Sequence, residues 1–523
     1  MITDLDTVPP IKEVQTRFLY SFFFRHGALS EARDAMLRAN VPSRSKGVIP
    51  IWECTAAHEL YKEEVLGHVV KFLFSPGTNI GCEYLRLNEA LGNRWFNKTE
   101  VELLDLSQFR VRLVPRALIE VFLSSYGVGI LSITLRPETH RGFRPWQVID
   151  FNYRLSQFRA NTAAHLITPH PAADADGRAP LSESQQHQVR VVSDGQSSVF
   201  ERIGRPGGRV RLSELATELV SPLGPLSFKA DRHQFGVYTV VRFGPSIDFS
   251  DPKIKHSLSS FLSALAQVEE PRHAGSGEGI TSIGNVVLNR KHWFGAGLLG
   301  AAHLVADQVP SDHPFNSARM PRIVIKYFTP YLAALIQRVV LQRASEQASE
   351  IVLSPGGEVK ERFDDLRTHL LEFALEGSFA EVTHRDTIHR YYRLSRDMLN
   401  VPAALAEIRQ AVADIDARNT SSRQVQIAED LRTNAEAAKT MQMRMAQNMS
   451  VIAKVQTMVE WIEIIVVSVY VAHLWDLFAS HIPSLEHWVS LGVAIAAALG
   501  AVLALVILKP WRHKRHSAVE LEP

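Results

Sequence analysis

Two cysteines in 523 residues, Cys54 and Cys82, cannot build a disulfide framework, and with no CxxC pair and no His/Cys cluster at zinc spacing they offer no structural zinc site. Charge of one sign is lacking too. Lys and Arg number 57 against 55 Asp and Glu, a formal net charge of +2, so the chain has no field of the kind that marks a dedicated nucleic-acid binder, and nucleic acid is not expected as a partner. The opening MITDLDTVPP has no basic region followed by an apolar core, which argues against a cleaved signal peptide and for a cytosolic N-terminal part. The phosphate-cradling GxxxxGKS/T pattern is absent, so the glycine-rich patches Gly204 to Arg209 and Gly275 to Gly279 read as turns. None of the 21 histidines stands in an HExxH, HxH or triad arrangement. His384-Arg385-Asp386 spells the kinase catalytic tripeptide without the accompanying Asn, DFG or glycine-rich loop, and His165 and His170 have no carboxylate pair at ligand spacing. No catalytic residue and no cofactor are assigned, and no enzyme is expected.

What is present divides the chain into parts of different character. Residues 1–320 mix strand and helix signals. Leu118 to Phe122, Val128 to Leu135 (VGILSITL) and Gly236 to Phe243 (GVYTVVRF) are β-branched and aromatic runs, which predicts strands. Thr55 to Phe74 and His256 to Val268 carry apolar residues at helical spacing. The expectation is an α+β cytosolic domain, with the polar, Pro-rich stretch Pro169 to Gln188 as a surface loop. Over 321–455 helical patterns dominate, at Arg322 to Ile351, Glu358 to Leu375, His384 to Leu399 and Pro402 to Ala417. They predict a helical stalk whose apolar stripe weakens at Asn419-Thr-Ser-Ser.

The last fifth is the most informative. Ile427, Leu431, Asn434, Ala438, Met441, Met445, Asn448, Ile452, Val455, Val459, Ile462, Val466, Val469 and His473 follow alternating steps of four and three, a heptad seam that runs on into an apolar stretch. Two such stretches within 456–510, about 461–479 and 488–508, each match the ~20 residues that cross a ~30 Å hydrocarbon core. They predict a C-terminal two-helix transmembrane hairpin, followed by a basic tail over 511–523. Arg444 and Lys454 precede the first span, Lys509, Arg512, Lys514 and Arg515 follow the second, and the connection from Ser480 to His487 has no Lys or Arg. By the positive-inside rule both termini are expected in the cytoplasm, with the lipid bilayer as partner.

Glu460 and Glu463, three apart at the cytoplasmic entrance of the first span, form carboxylate rings that gather cations if copies pack about an axis. Alternatively they sit at headgroup level against Lys454, Arg444 or Arg515. Ser468 and His473 are lining candidates, because polar groups inside a bilayer face protein or water. Asn434 and Asn448 are polar breaks that fix register or face a water-filled axis. Met441, Met445 and Ile452 are either constrictions that gate by dewetting or a core that only holds an oligomer together. Asp476 and Glu486, with His481 and His487, make a weakly acidic outer loop suited to attracting cations. In the second span Gly492, Ala496, Gly500 and Ala504 form a small-residue stripe that lets the first span approach closely.

A large cytosolic domain, a stalk helix continuous with the first span, a short outer loop, a second span and a basic tail resemble the CorA family of divalent-cation transporters. KPWRHKRH is similar to that family's basic tail, and LFASHIPSLEHW to its short, Trp-ended outer loop. The resemblance implies a homopentamer in the bacterial inner membrane, whose first spans line a pore for Mg²⁺ or another divalent cation and whose cytosolic domain senses an ion or small signalling ligand. Where the family carries Gly-Met-Asn, this chain reads Leu477-Phe478-Ala479-Ser480, so no signature residue carries over. Divergent relatives on this scaffold are similar to signal-gated membrane effectors of bacterial defence systems. That function, and a non-conducting membrane-tethered scaffold, stand as alternatives.

Overall fold

A fourteen-residue strand near the N-terminus, β1 (Ile11–Phe24), organises the first part of the chain. In the computed structural model the described residues run from 5 to 479, with short breaks before residue 60 and at 321, and longer ones at 75–80, 97–99, 104–109, 114–118, 139–141, 159–163, 168–198, 204–207, 230–233, 272–283, 308–319 and 354–358; beyond 479 only Gly492, Ile495 and Gly500 are described. Pro169 to Gln188, Gly275 to Gly279 and most of Gly204 to Arg209 therefore lie outside the described residues.

The main sheet adds β2 (Trp52–Glu53), β3 (Cys82–Leu87), β4 (Ile119–Ser124), β5 (Val128–Leu135), β6 (Ser227–Lys229), β7 (Gly236–Phe243), β8 (Gly284–Asn289), β9 (His292–Ala296) and β10 (Gly300–Ala306). Their order is β8-β9-β10-β7-β1-β5-β4-β3-β2, with β6 beside the end of β1. Every pairing is antiparallel except β7 with β10. Three expected strands stand where the β-branched runs are. β1 does not announce itself, because Lys12, Glu13, Gln15 and Arg17 interrupt its apolar pattern.

Alternation along the strands divides the core into two layers. Phe18 and Phe22 of β1, Leu131 and Ile133 of β5, and Val121 and Leu123 of β4 share one apolar cluster, which packs under α1 (Leu29–Arg38). Leu19 and Phe23, with Ile130 and Phe122, belong to the other, under α2 (Gly67–Phe74). A register shift between Ile11 and Glu13 brings Ile11 into a third cluster with Val14. That cluster lies against α3 (Pro145–Ser156) and also takes in α5 (Pro252–Gln267); α4 (Leu212–Val220) closes the α1 side. Gly129 sits opposite Phe22 in the β1–β5 ladder, and a Cβ there would run into the Phe22 ring, so the absent side chain is what lets the ring lie flat across its neighbour.

The second layer is built mainly from α6 (Phe328–Leu353), α7 (Val359–Glu372) and α8 (Asp386–Met398), and it is completed by the first turns of α9 (Val401–Ala479). Among the described residues the helix long and apolar enough to cross a membrane is Arg322–Ile351, most of which is α6. Its most apolar stretch is 83% buried inside the protein, which makes it the central core helix of this layer. The compact unit formed by sheet and helices extends from Met1 to Asp416, so the helices between 321 and 398, expected as part of the stalk, instead pack on the sheet domain. The expected helix Thr55 to Phe74 breaks at Glu64, whose φ of 64° is left-handed. That corner is held from outside: its carbonyl accepts from the Thr383 hydroxyl at 2.6 Å, and its carboxylate pairs with Lys326 and Arg385.

A second unit, Ala417–Pro523, holds the remainder of α9. The helix runs unbroken through Asn419-Thr-Ser-Ser and through the expected first span to Ala479. Most of the expected second span lies outside the described residues; Gly492 and Gly500 are helical.

Candidate functional site

Helix α6 is fixed to the sheet by a buried ionic group. The Arg17 guanidinium donates to Glu120 Oε2 at 2.7 Å and to the Tyr61 hydroxyl at 3.0 Å, while Tyr61 and Tyr84 donate to the two Glu120 oxygens at 2.6 and 2.7 Å. Arg17 and Glu120 are both essentially inaccessible to water. The guanidinium also lies 4.2 Å from the centre of the Phe328 ring, the first residue of α6. Burial opposes the Arg17 charge, but Tyr61 and Glu120 outweigh it and hold its pKa above the ordinary value. Burial, reinforced by the Glu120 carboxylate, raises the Tyr84 phenol far out of its usual range, so it remains a donor.

On the same sheet face, His292 Nε2 and His303 Nδ1 share a hydrogen bond of 2.9 Å, and His303 Nε2 has no partner. Tyr238, Tyr327 and Tyr391 surround the His303 ring. Burial first, and then the neighbouring His292, push the His303 pKa well below 6.5. Next to this aromatic nest, Gln337 of α6 donates to the Gly377 carbonyl at 2.9 Å and to the Tyr392 hydroxyl, while Tyr392 donates to the Phe379 carbonyl at 2.9 Å. These bonds tie α8 to α6.

Where α8 turns into α9 the chain makes a tight corner at Asn400, whose φ of 61° is left-handed. Between that corner, α6 and the β9–β10 turn lies a cleft of about 660 Å³. Its walls are apolar for the most part, including Leu299, Tyr331, Leu335, Leu399, Ala404 and Ile408. Arg338 of α6 reaches into the lining and donates to the Leu298 carbonyl at 2.9 Å. Burial lowers its pKa, and among the described residues no carboxylate pairs with it. The dimensions lie in the range typical of small-molecule sites.

The residues expected to line a pore stand along α9. Met441, Met445, Asn448, Ile452, Glu463 and His473 are all exposed on one chain, and Asn434, Glu460, Ser468 and Asp476 belong to the same helix. A single helix does not bring them together as a site; only further copies would. Glu486, Ala496 and Ala504 lie outside the described residues. Among the described residues no group of three or more His, Cys, Asp or Glu side chains could hold a metal ion.

Sequence reasoning passes over the cleft altogether. Its lining comes from positions near 235, 299, 340 and 404, and no local spacing links them. The available signal was Arg338, a cation inside an otherwise apolar helical stripe. No family model, no curated protein and no solved structure matches the chain.

Proposed function

We propose that the chain is a membrane-anchored, homo-oligomeric cation channel or transporter of CorA-like plan, in which α9 forms the stalk and first span and the layered domain governs its state. The observation that carries this reading is the surface of α9. Of the 22 large apolar side chains exposed among the described residues, 16 lie between Met441 and Leu474, so the exposure is a property of this segment rather than of the protein at large. Such a run is apolar all round: Met443, Met458, Trp461 and Ile465 lie off the seam of Met445, Ile452, Val459 and Val466, yet they are equally exposed. A water-soluble helix does not sustain that pattern, whereas a helix with copies of itself on one side and lipid on the other does. No charged residue interrupts Ile464 to Trp475, while Glu460 and Glu463 stand just ahead of that stretch. In an oligomer this places carboxylates at the mouth of an apolar conduit, which favours cations over anions.

The test is ion flux into liposomes holding the purified full chain. Cation uptake that falls on Glu463→Gln, with Glu460→Gln acting in the same direction, is the expected result. Absence of flux for Mg²⁺, other divalent ions and monovalent cations alike would overturn conduction and leave the membrane-tethered scaffold.

A further inference from the structure

The cleft beside Asn400 has two features that a merely imperfectly packed surface lacks. The first is a cation with no ion-pair partner among the described residues. The Arg338 guanidinium has five N–H donors, of which one hydrogen bond, to the Leu298 carbonyl, is made within the protein. The two arginines buried in this unit among the described residues both have carboxylates: Arg17 has Glu120, and Arg242 has Asp307 and Glu13. A half-buried guanidinium with no ion-pair partner among the described residues, set at the edge of an apolar cleft, is a ready partner for an anionic oxygen pair, whose geometry matches its fork. The second feature is exposed apolar surface at the rim. Leu298 and Leu299 are 51% and 37% exposed, whereas among the described residues of this unit only Val48, Leu371 and Leu375 are other large apolar side chains left exposed. Glu407 also lines the cleft, and its carboxylate disfavours a ligand with more than one negative charge.

We propose that this cleft binds a small amphipathic monoanion, a single carboxylate on an apolar body, with Arg338 taking the carboxylate and Leu299, Tyr331, Leu335 and Ile408 enclosing the body. The walls belong to different elements: Arg338 and Leu335 are on α6, while Ala404 and Ile408 are in the first turns of α9. An occupant touches both and so favours one arrangement of α9 on α6, which is the requirement for a regulatory ligand. Binding stands without any conduction; only the regulatory consequence rests on the channel reading.

The experiment titrates the full chain in lipid nanodiscs with 3-phenylpropionate, using calorimetry, with empty nanodiscs as the blank. Saturable binding with one site per chain is expected. Arg338→Gln weakens it about tenfold or more, and Arg338→Lys, which keeps the charge without the fork, falls between the two. The neutral 3-phenylpropanamide and the doubly charged benzylphosphonate both bind more weakly than the carboxylate. Ala404→Phe, which fills the cleft and leaves Arg338 in place, abolishes binding; this arm and the amide comparison decide the matter if Arg338→Gln does not fold. Equal affinity of native and Arg338→Gln protein, equal affinity for the amide, or no saturable binding up to about 1 mM overturns the proposal. If probe binding holds while liposomes show no flux, the channel reading fails and the site remains. If flux holds while the probe does not bind, the reverse follows.

Discussion

At Glu120 three donors converge on one carboxylate that has no access to water, and the consequences of breaking this group depend on which partner is removed. Glu120→Ala leaves the Arg17 charge buried without a counter-ion, and unfolding of the full chain should become easier by about 3–5 kcal/mol. Tyr84→Phe deletes one hydrogen bond to the carboxylate and should weaken the fold by about 1–3 kcal/mol. Urea unfolding of the two variants checks the order, and a smaller loss for Glu120→Ala than for Tyr84→Phe would show that the ion pair does not anchor α6. His303 carries a different signature. The fold keeps it neutral, with its pKa well below 6.5 through burial and then His292, whereas the unfolded chain takes up a proton near that pH. The folded state therefore enjoys this contribution in full above about pH 6.5 and loses it as the pH falls toward the depressed folded value, with a slope of up to ~1.4 kcal/mol per pH unit. Melting temperatures measured from about pH 8 to about pH 5 should fall less steeply for His303→Gln than for the native chain. Parallel curves would mean that His303 is protonated in the fold.

Between elements, the corner at Asn400 decides how α8 delivers the chain into α9. The Asn400 amide donates to the Asp397 carbonyl at 3.0 Å, and its own carbonyl accepts from the Ala404 amide at 2.9 Å, so one left-handed residue closes one helix and opens the next. Asn tolerates that conformation and a β-branched residue does not. Asn400→Val should lower stability by about 1–2 kcal/mol, whereas Asn400→Gly should be close to neutral, and a pair of thermal melts separates the outcomes. An Asn400→Val protein as stable as native would place the corner in another conformation. The corner also illustrates what a sequence can carry. Val128–Leu135 and Gly236–Phe243 are legible because their strand signal is local, and the long helix α9 is legible because its helical period is local. β1 is not, since Arg17 makes sense in a buried strand only beside Glu120, 103 positions away. The break at Glu64 is hidden for the same reason, because Thr383, Lys326 and Arg385 hold it from far along the chain. The cleft is the extreme case: its walls exist only once α6, α9 and the β9–β10 turn have met.

For the whole molecule, the two units make opposite demands on solvent. Met1–Asp416 buries nearly all its large apolar side chains, the described exceptions being Val48, the adjacent Leu298 and Leu299, Leu371 and Leu375, which form no continuous run like that of α9. The α9 segment after Met441 buries none of those named above within its own chain. Free energy of transfer is roughly proportional to apolar area removed from water, so the second unit should dominate both membrane affinity and self-association. A fragment ending shortly after Asp416 is thus expected to fold, remain in detergent-free buffer and sediment as a monomer, and the full chain to require detergent or lipid and to sediment as a homo-oligomer. Analytical ultracentrifugation of both, with the detergent contribution matched out, distinguishes the alternatives. An oligomeric fragment would move the assembly surface to the layered domain, and the seam from Met441 to His473 would then be free to meet lipid on every side. A full chain that stays monomeric and soluble without detergent would remove the basis for the membrane reading, because nothing would then cover the apolar surface of α9.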